Sequence, residues 1–388
     1  MKKHLLYASF FCLLAGFHVT ASFAAEPKSL ASPEVAVAMQ PYLDSYKLTG
    51  MICVIADKAG NVHCKNLIGY ADVETKKPMS DDNVFWIASM SKMFVGASIM
   101  MLVDEGKISL DDPVTNYIPQ LAKWMVVEEK DENHVLLKRL VRPVTIRHLL
   151  SHTSGLTFSS ELQQVTGADS TPLKDRALSS VAGPLQFQPG DKYQYGNQDM
   201  NIAARVVEGV SGMPYEEFLQ KRFFDPLGMT ETTFWPSDAQ VARLAHAYGP
   251  NKDESGFAKG DVNLFTKPLS DRVHRFPEAA AGLFSTTHDI LRYGLLLANN
   301  GELDSKRYLS PAAMDELRKE QTGETKVNYS LGYHLRNGMF GHDGAYGTDL
   351  SVNPTNGMVA IFMTQSTSDD KWAARDLLLK IATQIYQK

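Results

Sequence analysis

Phe85-Trp86-Ile87-Ala88-Ser89-Met90-Ser91-Lys92 runs straight into Met93-Phe94-Val95-Gly96-Ala97-Ser98-Ile99-Met100-Met101-Leu102, and this stretch decides how the chain is read. Its spacing predicts a helix over 88–105, stopped at Gly106, where glycine's tolerance of the left-handed conformation favours an end. Met90, Met93, Phe94, Val95, Ile99, Met100, Met101 and Leu102 leave almost no polar face, and a helix apolar all round is a buried one. Ser89 and Lys92 stand three residues apart, on one face of that helix. A serine hydroxyl is a weak nucleophile until a base takes its proton. A lysine in apolar surroundings supplies that base, because desolvation penalises the ammonium form. The helix N-terminus adds free N–H groups where an oxyanion would develop. The motif alone is common. Ser368-Asp369-Asp370-Lys371 repeats it, at the polar start of a helix and without the apolar setting.

Upstream, residues 33–47 carry Val35, Met39, Leu43 and Tyr46 at helical spacing. Two strand-like runs follow, 51–56 and 62–68, around the turn Asp57-Lys58-Ala59-Gly60-Asn61. A hairpin centred near Lys58 and Ala59 would place Cys53 and Cys64 about opposite each other. A cross-strand disulfide and two reduced, packed cysteines are both compatible with that placement. Downstream, strand signals thin out between 111 and 269. Short helices are expected there at 145–152, 198–210 and 215–224, with one hairpin pairing 124–127 and 135–137. Mixed structure returns with a helix over 289–299, strands at 330–334, 348–353 and 357–365, and a last helix over 371–386. Strands in runs flanked by helices, without regular βαβ alternation, argue for an α+β fold with an antiparallel sheet. The expected layout is one α/β sandwich domain built from 26–110 and 275–388, with a mainly helical domain, 111–274, inserted.

The chain has 388 residues, 44% of them hydrophobic and 21% charged, with a formal net charge of −5. That composition is globular, and with no basic run beyond two residues it gives no footing for nucleic acid. Lys2 and Lys3 precede an apolar run over 5–19 and then Ser22-Phe23-Ala24, the pattern of a secretory leader cut after Ala24. The run is short of the roughly 18–20 residues a membrane span needs. A periplasmic or secreted protein without a stable membrane anchor is therefore expected.

Several chemistries lack their signatures. There is no Gly-x-Ser-x-Gly elbow, His-Glu-x-x-His, paired Cys-x-x-Cys or Walker-type loop. His148 and His152 share a helix face, but no carboxylate completes a metal set, so neither metal nor cofactor is expected. Tyr195-Gly196-Asn197 is the one Tyr-x-Asn among fifteen tyrosines. A tyrosine beside a lysine ammonium can shuttle protons, while an asparagine there also reads as the cap of the next helix. Gly341-His342-Asp343-Gly344-Ala345 reads by itself as a glycine-rich turn or strand edge, against which a substrate can lie close.

In this order and context the three motifs resemble those of the penicillin-recognising serine hydrolases. That family includes class C β-lactamases, D,D-carboxypeptidases, D-aminopeptidases and β-lactamase-like esterases. Leu149-Leu150-Ser151-His152-Thr153-Ser154-Gly155-Leu156 and Asp225-Pro226-Leu227-Gly228-Met229 resemble further recurring segments, and the likeness runs from about Gly50 onward. The resemblance implies a β-lactamase/D,D-peptidase-like fold. It makes Ser89 the acylated nucleophile, Lys92 its proton acceptor, Tyr195 the partner base and acid, and Asn197 an anchor for the substrate amide or for Lys92. The N–H groups of Ser89 and Ala345 would form the oxyanion hole, with His342 and Gly344 lining the substrate strand.

Class C enzymes usually carry Lys-Thr-Gly where this chain has His342-Asp343-Gly344. A largely neutral histidine is a poorer receptor for a β-lactam carboxylate. The reading is thus an exported serine hydrolase acting on small-molecule esters, amides or D-amino-acid-containing peptides. A true class C-type β-lactamase and a penicillin-binding sensor or assembly protein without turnover are the alternatives. Asp343 has two open readings: orienting His342, or meeting a cationic substrate group.

Overall fold

The computed structural model describes residues 30–260, 265 and 267–386. The expected leader and its cut after Ala24 lie outside the described residues. The first helix, α1 (Pro33–Asp44), opens with a proline behind Ser32, whose hydroxyl accepts from the Val35 N–H. Proline suits that place because its missing N–H would be unpaired there anyway.

A seven-stranded antiparallel sheet forms the centre. Its strands are β1 (Gly50–Ala56), β2 (Val62–Asp72), β3 (Lys77–Pro78), β4 (His334–Arg336), β5 (Met339–Asp343), β6 (Asp349–Val352) and β7 (Val359–Met363), in the spatial order β4-β5-β6-β7-β1-β2-β3. The α+β reading with an antiparallel sheet holds. The sheet joins distant parts of the chain, since β1 pairs with β7 through Ile52↔Met363 and Val54↔Ile361. Along β1 the side chains alternate between two apolar layers. Ile52, Val54 and Ala56 join the larger core, whereas Met51, Cys53 and Ile55 join the layer under α1 and the last helix. That period of two is what a strand covered on both faces demands.

The sulfurs do not meet as a centred hairpin would have them. Ile55 faces Cys64 and Cys53 faces Asn66, because the turn already offsets the strands at Ala56↔Val62 and an irregularity next to Ile55 and Ala56 shifts the register further. Cys53 and Cys64 are diagonal, buried and free, with the Cys64 thiol on Asn66 Oδ1 at 3.1 Å. Of the two pairings left open by the sequence, the structure has the reduced one.

The predicted apolar helix divides into a tight turn, Ala88–Met90, and α2 (Ser91–Asp104), in which every residue from Ser91 to Leu102 is buried. Between α2 and a later helix, α4 (Thr287–Ala298), the chain builds short helices and the long α3 (Gln198–Ser211), which stops at Gly212 in the left-handed conformation. The hairpin expected at 124–127 and 135–137 is found as Val126–Lys130 paired with Val135–Lys138. One contiguous apolar cluster runs from β1 through α2 to α3. The final helix, α5 (Asp370–Tyr386), covers the α1 face.

Gly96 marks where α2 is tightest. A methyl there would press into the Leu331 carbonyl and crowd the Tyr333 ring. Overpacking against backbone has no cheap relief, so Gly96→Ala is expected to cost about 2–3 kcal/mol. Thermal unfolding should register this as a midpoint lowered by roughly 4–10 °C.

Candidate active site

The turn that carries Ser89 is held from three directions. The Ile87 N–H donates to the Leu283 carbonyl at 3.0 Å and the Trp86 Nε1–H to the Ala281 carbonyl at 2.6 Å. The Leu283 N–H donates to Ser91 Oγ at 3.2 Å, so the segment 281–283 grips both sides of the Ser89 turn. From the sheet, Thr348 Oγ1 donates to the Ile87 carbonyl at 3.3 Å. A Cβ on Gly344 would collide with that same carbonyl and with the Thr348 hydroxyl, which is why the end of β5 needs a glycine to lie against the turn. Ala345, the next residue, faces solvent beside half-buried Ser89. Ala88 has φ +44°, a left-handed conformation for a residue with a Cβ. Such strain, on the order of 1–3 kcal/mol, persists only where the surroundings over-determine it.

Lys92 is completely buried. Its Nζ lies 3.2 Å from Ser89 Oγ, 2.8 Å from Asn197 Oδ1 and 3.1 Å from the Ala280 carbonyl. Two of these neighbours, the amide oxygen and the carbonyl, can only accept. In its neutral form the amine can give its two hydrogens to Asn197 and Ala280 and turn its lone pair to the Ser89 hydroxyl; as an ammonium it donates to all three. Burial lowers the Lys92 pKa to about 7, against the opposing charges of Glu278, Asp199 and Asp343. With a pKa there, a substantial share of the amine is unprotonated at neutral pH and able to take up a proton.

Tyr195 is hydrogen-bonded to Ser89, and its ring centroid lies 4.7 Å from Lys92 Nζ. Burial pushes its hydroxyl well above the usual phenol range, so Tyr195 keeps its proton at neutral pH. Asn197 stands at the N-cap of α3, yet its side chain makes no cap bond. Its oxygen goes to Lys92 instead. The Asn197 N–H donates to the Phe158 carbonyl at 2.8 Å, which fixes the Tyr-x-Asn segment. Beside it, a cavity of about 370 Å³ opens along Leu156, Thr157 and Gln198.

His342 departs from the expected role. It is 1% exposed, its Nδ1–H donates to the Asp343 carbonyl at 2.7 Å, and its Nε2 accepts from the Tyr329 hydroxyl at 3.1 Å. Both ring nitrogens are engaged within the protein. Burial and neighbouring His334 hold its pKa well below the usual imidazole range. The imidazole is a buried, neutral prop whose ring centre lies 6.2 Å from that of Tyr195.

Asp343 is also committed. Arg336 Nη2 reaches it at 2.7 Å, His334 Nε2 at 3.2 Å and Arg375 Nη1 at 3.3 Å. Burial would raise its pKa, but the His334 hydrogen bond and the charges around it hold the carboxylate far below the usual range. The same two arginines contact Asp349, so this cluster pairs two carboxylates with two guanidiniums. The Asp343 carboxylate is thus already shared among Arg336, Arg375 and His334 within the protein.

His334, His342 and Asp343 bring one ligand atom each within 4.8 Å of one another. The arginines on the carboxylate and the two bonds of His342 leave that donor set already spent. His148 and His152 serve separate ends: His148 Nδ1 accepts from the Thr145 N–H in a capping box, and buried His152 lies 3.3 Å from Asp199. Glu278, Ala280, Asp199, His334, Arg336 and Arg375 carry no motif in the sequence and emerge from the fold alone. His152 and Asp343 fell within quoted segments, without assigned roles.

Comparison with known proteins gives one consistent picture. The family described as Beta-lactamase matches residues 35–384. Lovastatin esterase of Penicillium rubens is 29% identical over 328 residues, 76% of this chain and 80% of that protein. Esterase EstB of Burkholderia gladioli is 28% identical, covering 78% and 77%. Penicillin-binding protein 4* of Bacillus subtilis is 29% identical over 73% of this chain and 59% of its own length. Among solved structures, EstCE1, a hydrolase with promiscuous acyltransferase activity, superposes with a TM-score of 0.75 at 23% identity, over 91% of this chain and 97% of its own. Simvastatin synthase (LovD) of Aspergillus terreus gives 0.73 at 22% identity, over 91% and 97%. At those identities the structural likeness speaks for the fold.

Proposed function

The chain belongs to the beta-lactamase family of serine hydrolases, and from that premise we propose that it is an exported hydrolase acting through an acyl-enzyme on Ser89, with uncharged esters first among its substrates. Amides and D-amino-acid-containing peptides follow. The observation that carries this reading is the buried Lys92 amine, its pKa lowered to about 7, with Ser89 Oγ at 3.2 Å and its other two neighbours able only to accept. In acylation Ser89 Oγ forms a bond to the carbonyl carbon as its proton passes to Lys92. The oxyanion gathers against the N–H groups of Ser89 and Ala345, each such donor being worth about 3 kcal/mol. The proton then travels through the Tyr195 hydroxyl to the leaving oxygen as that bond breaks. Water repeats the sequence in reverse and frees Ser89.

Charge favours esters over β-lactams. The place where class C enzymes offer a lysine to a carboxylate holds neutral His342 and a carboxylate, Asp343, already shared by Arg336, Arg375 and His334. Phe158, 53% exposed and 6.4 Å from the Tyr195 ring, offers an apolar rim for an acyl or alcohol group. The esterase names of two relatives point the same way. Export rests on the basic start and short apolar run over residues 2–24.

The test is a time course with p-nitrophenyl esters and with the β-lactam nitrocefin. Steady release over many equivalents of ester, with kcat/KM at least about tenfold above that for nitrocefin, is the expected result. One equivalent followed by silence would make the protein an acylating receptor, and faster nitrocefin turnover would make it a β-lactamase. Because the base must be unprotonated, kcat/KM should climb with pH through an acid limb near 7 and level off above it.

A further inference from the structure

Glu278 is fully buried and takes no part in the steps above. It faces Arg176, itself buried, and Asn201 Nδ2 donates to its two oxygens at 2.9 and 3.1 Å. Gln163 Nε2 adds a longer contact at 3.4 Å. Arg176, Asn201 and Gln163 all donate to its carboxylate. A protonated acid would need an acceptor for its own hydrogen, so this is the environment of an anion. Burial pulls its pKa upward, and Arg176 and Asn201 work against that pull.

The position of this charge matters as much as its presence. Asn201, one helical turn past Asn197 on α3, accepts the Ala279 N–H at 3.0 Å. The Glu278 carbonyl in turn accepts the N–H groups of Ala281 and Gly282. Glu278 thus pins the turn 278–283 to α3, and that turn supplies the Ala280 carbonyl to Lys92 and the Ala281 carbonyl to Trp86. A buried Lys92 that accepts the Ser89 proton becomes an ammonium with no water around it, and it needs a fixed negative charge nearby.

We propose that Glu278 is a positioning residue for Lys92: it fixes the 278–283 turn against α3 and supplies the counter-charge that the transient ammonium faces. This rests on Lys92 being the proton acceptor. The other charged or titratable groups facing Lys92 are Asp199 on α3, Asp343 and His342 on β5, His334 on β4, and His152. Tyr195 presents its ring. Among the carboxylates, Glu278 opposes the burial of Lys92 most strongly.

The experiment is the pH profile of kcat/KM for a p-nitrophenyl ester in the full chain and its variants. Glu278→Gln keeps the shape and removes the charge. Its acid limb should move to lower pH by about half a unit or more, because the ammonium form loses its counter-charge. Glu278→Asp keeps the charge on a shorter stem, so its limb should stay in place while the plateau falls. If Glu278→Gln does not fold, Glu278→Asp decides, and a plateau at the wild-type level then overturns the proposal. A folded variant without the carboxylate whose limb stays at the wild-type pH overturns the proposal and leaves Glu278 a purely structural residue. A wild-type profile with no limb near 7 instead overturns the role of Lys92 itself, so the two failures are distinguishable.

Discussion

Ser89→Ala is expected to hydrolyse p-nitrophenyl esters about four orders of magnitude more slowly than the wild type, the loss that follows removal of an essential nucleophile. The expectation has two separable parts. Intact-protein mass spectrometry after a brief exposure to ester should show an acyl adduct on the wild type and none on the variant. Unfolding should be nearly unchanged, since Ser89 is half-buried and the turn around it is held by the Leu283, Ala281 and Thr348 contacts, none of which uses its hydroxyl. Residual rate should persist, because the two N–H groups still polarise a bound carbonyl and water can attack directly. A second substitution at Lys92 should then cost almost nothing more, as residues that act as one unit are not additive. A variant that keeps a near-normal rate and still acquires the acyl mass would move the nucleophile elsewhere.

How far the sequence foretold this site depends on the kind of contact. Local contacts were legible. The apolar run after Ser89 spelled a buried helix, and a spacing of three put hydroxyl and amine together, as the 3.2 Å approach bears out. Contacts decided by register were not. The turn and an irregularity beside Ala56 together set a register two residues away from one that would face Cys53 with Cys64. The segment 341–345 reads in sequence as a glycine-rich turn or strand edge, because glycine masks strand propensity, and its first three residues end β5. The overlooked signal was Asn337-Gly338: both residues have positive φ and close the hairpin between β4 and β5, as the Asn-Gly pair favours. Long-range electrostatics were the least legible. Glu278 lies 186 positions from Lys92 and in no motif, and Arg375 reaches Asp343 from a helix 32 residues away. The left-handed Ala88 was equally invisible, since nothing in an alanine announces that the surrounding bonds will hold it there.

Lys92→Arg is the sharper test of the chemistry, because it keeps a cation and much of the length while removing the ability to accept a proton. A guanidinium stays protonated throughout the working pH range and has no lone pair to offer. If the amine serves only as a positive charge near the oxyanion, arginine should retain a good part of the activity. If it strips the hydrogen from Ser89, kcat/KM should fall by about three orders of magnitude or more, and the acid limb near 7 should vanish. The site makes the second outcome the expected one. Asn197 Oδ1 and the Ala280 carbonyl consume two hydrogens of the amine, and the third direction is occupied by Ser89. An ammonium in that place donates to Ser89 Oγ and disarms it, whereas the free amine receives from it. Lys92→Met completes the argument as a control for folding: it fills the same buried channel without charge. It should unfold no earlier than Lys92→Arg, which forces a larger planar cation into a fully enclosed position, yet it should be just as inactive. Equal inactivity with unequal stability would assign the loss to the missing base and not to a damaged fold.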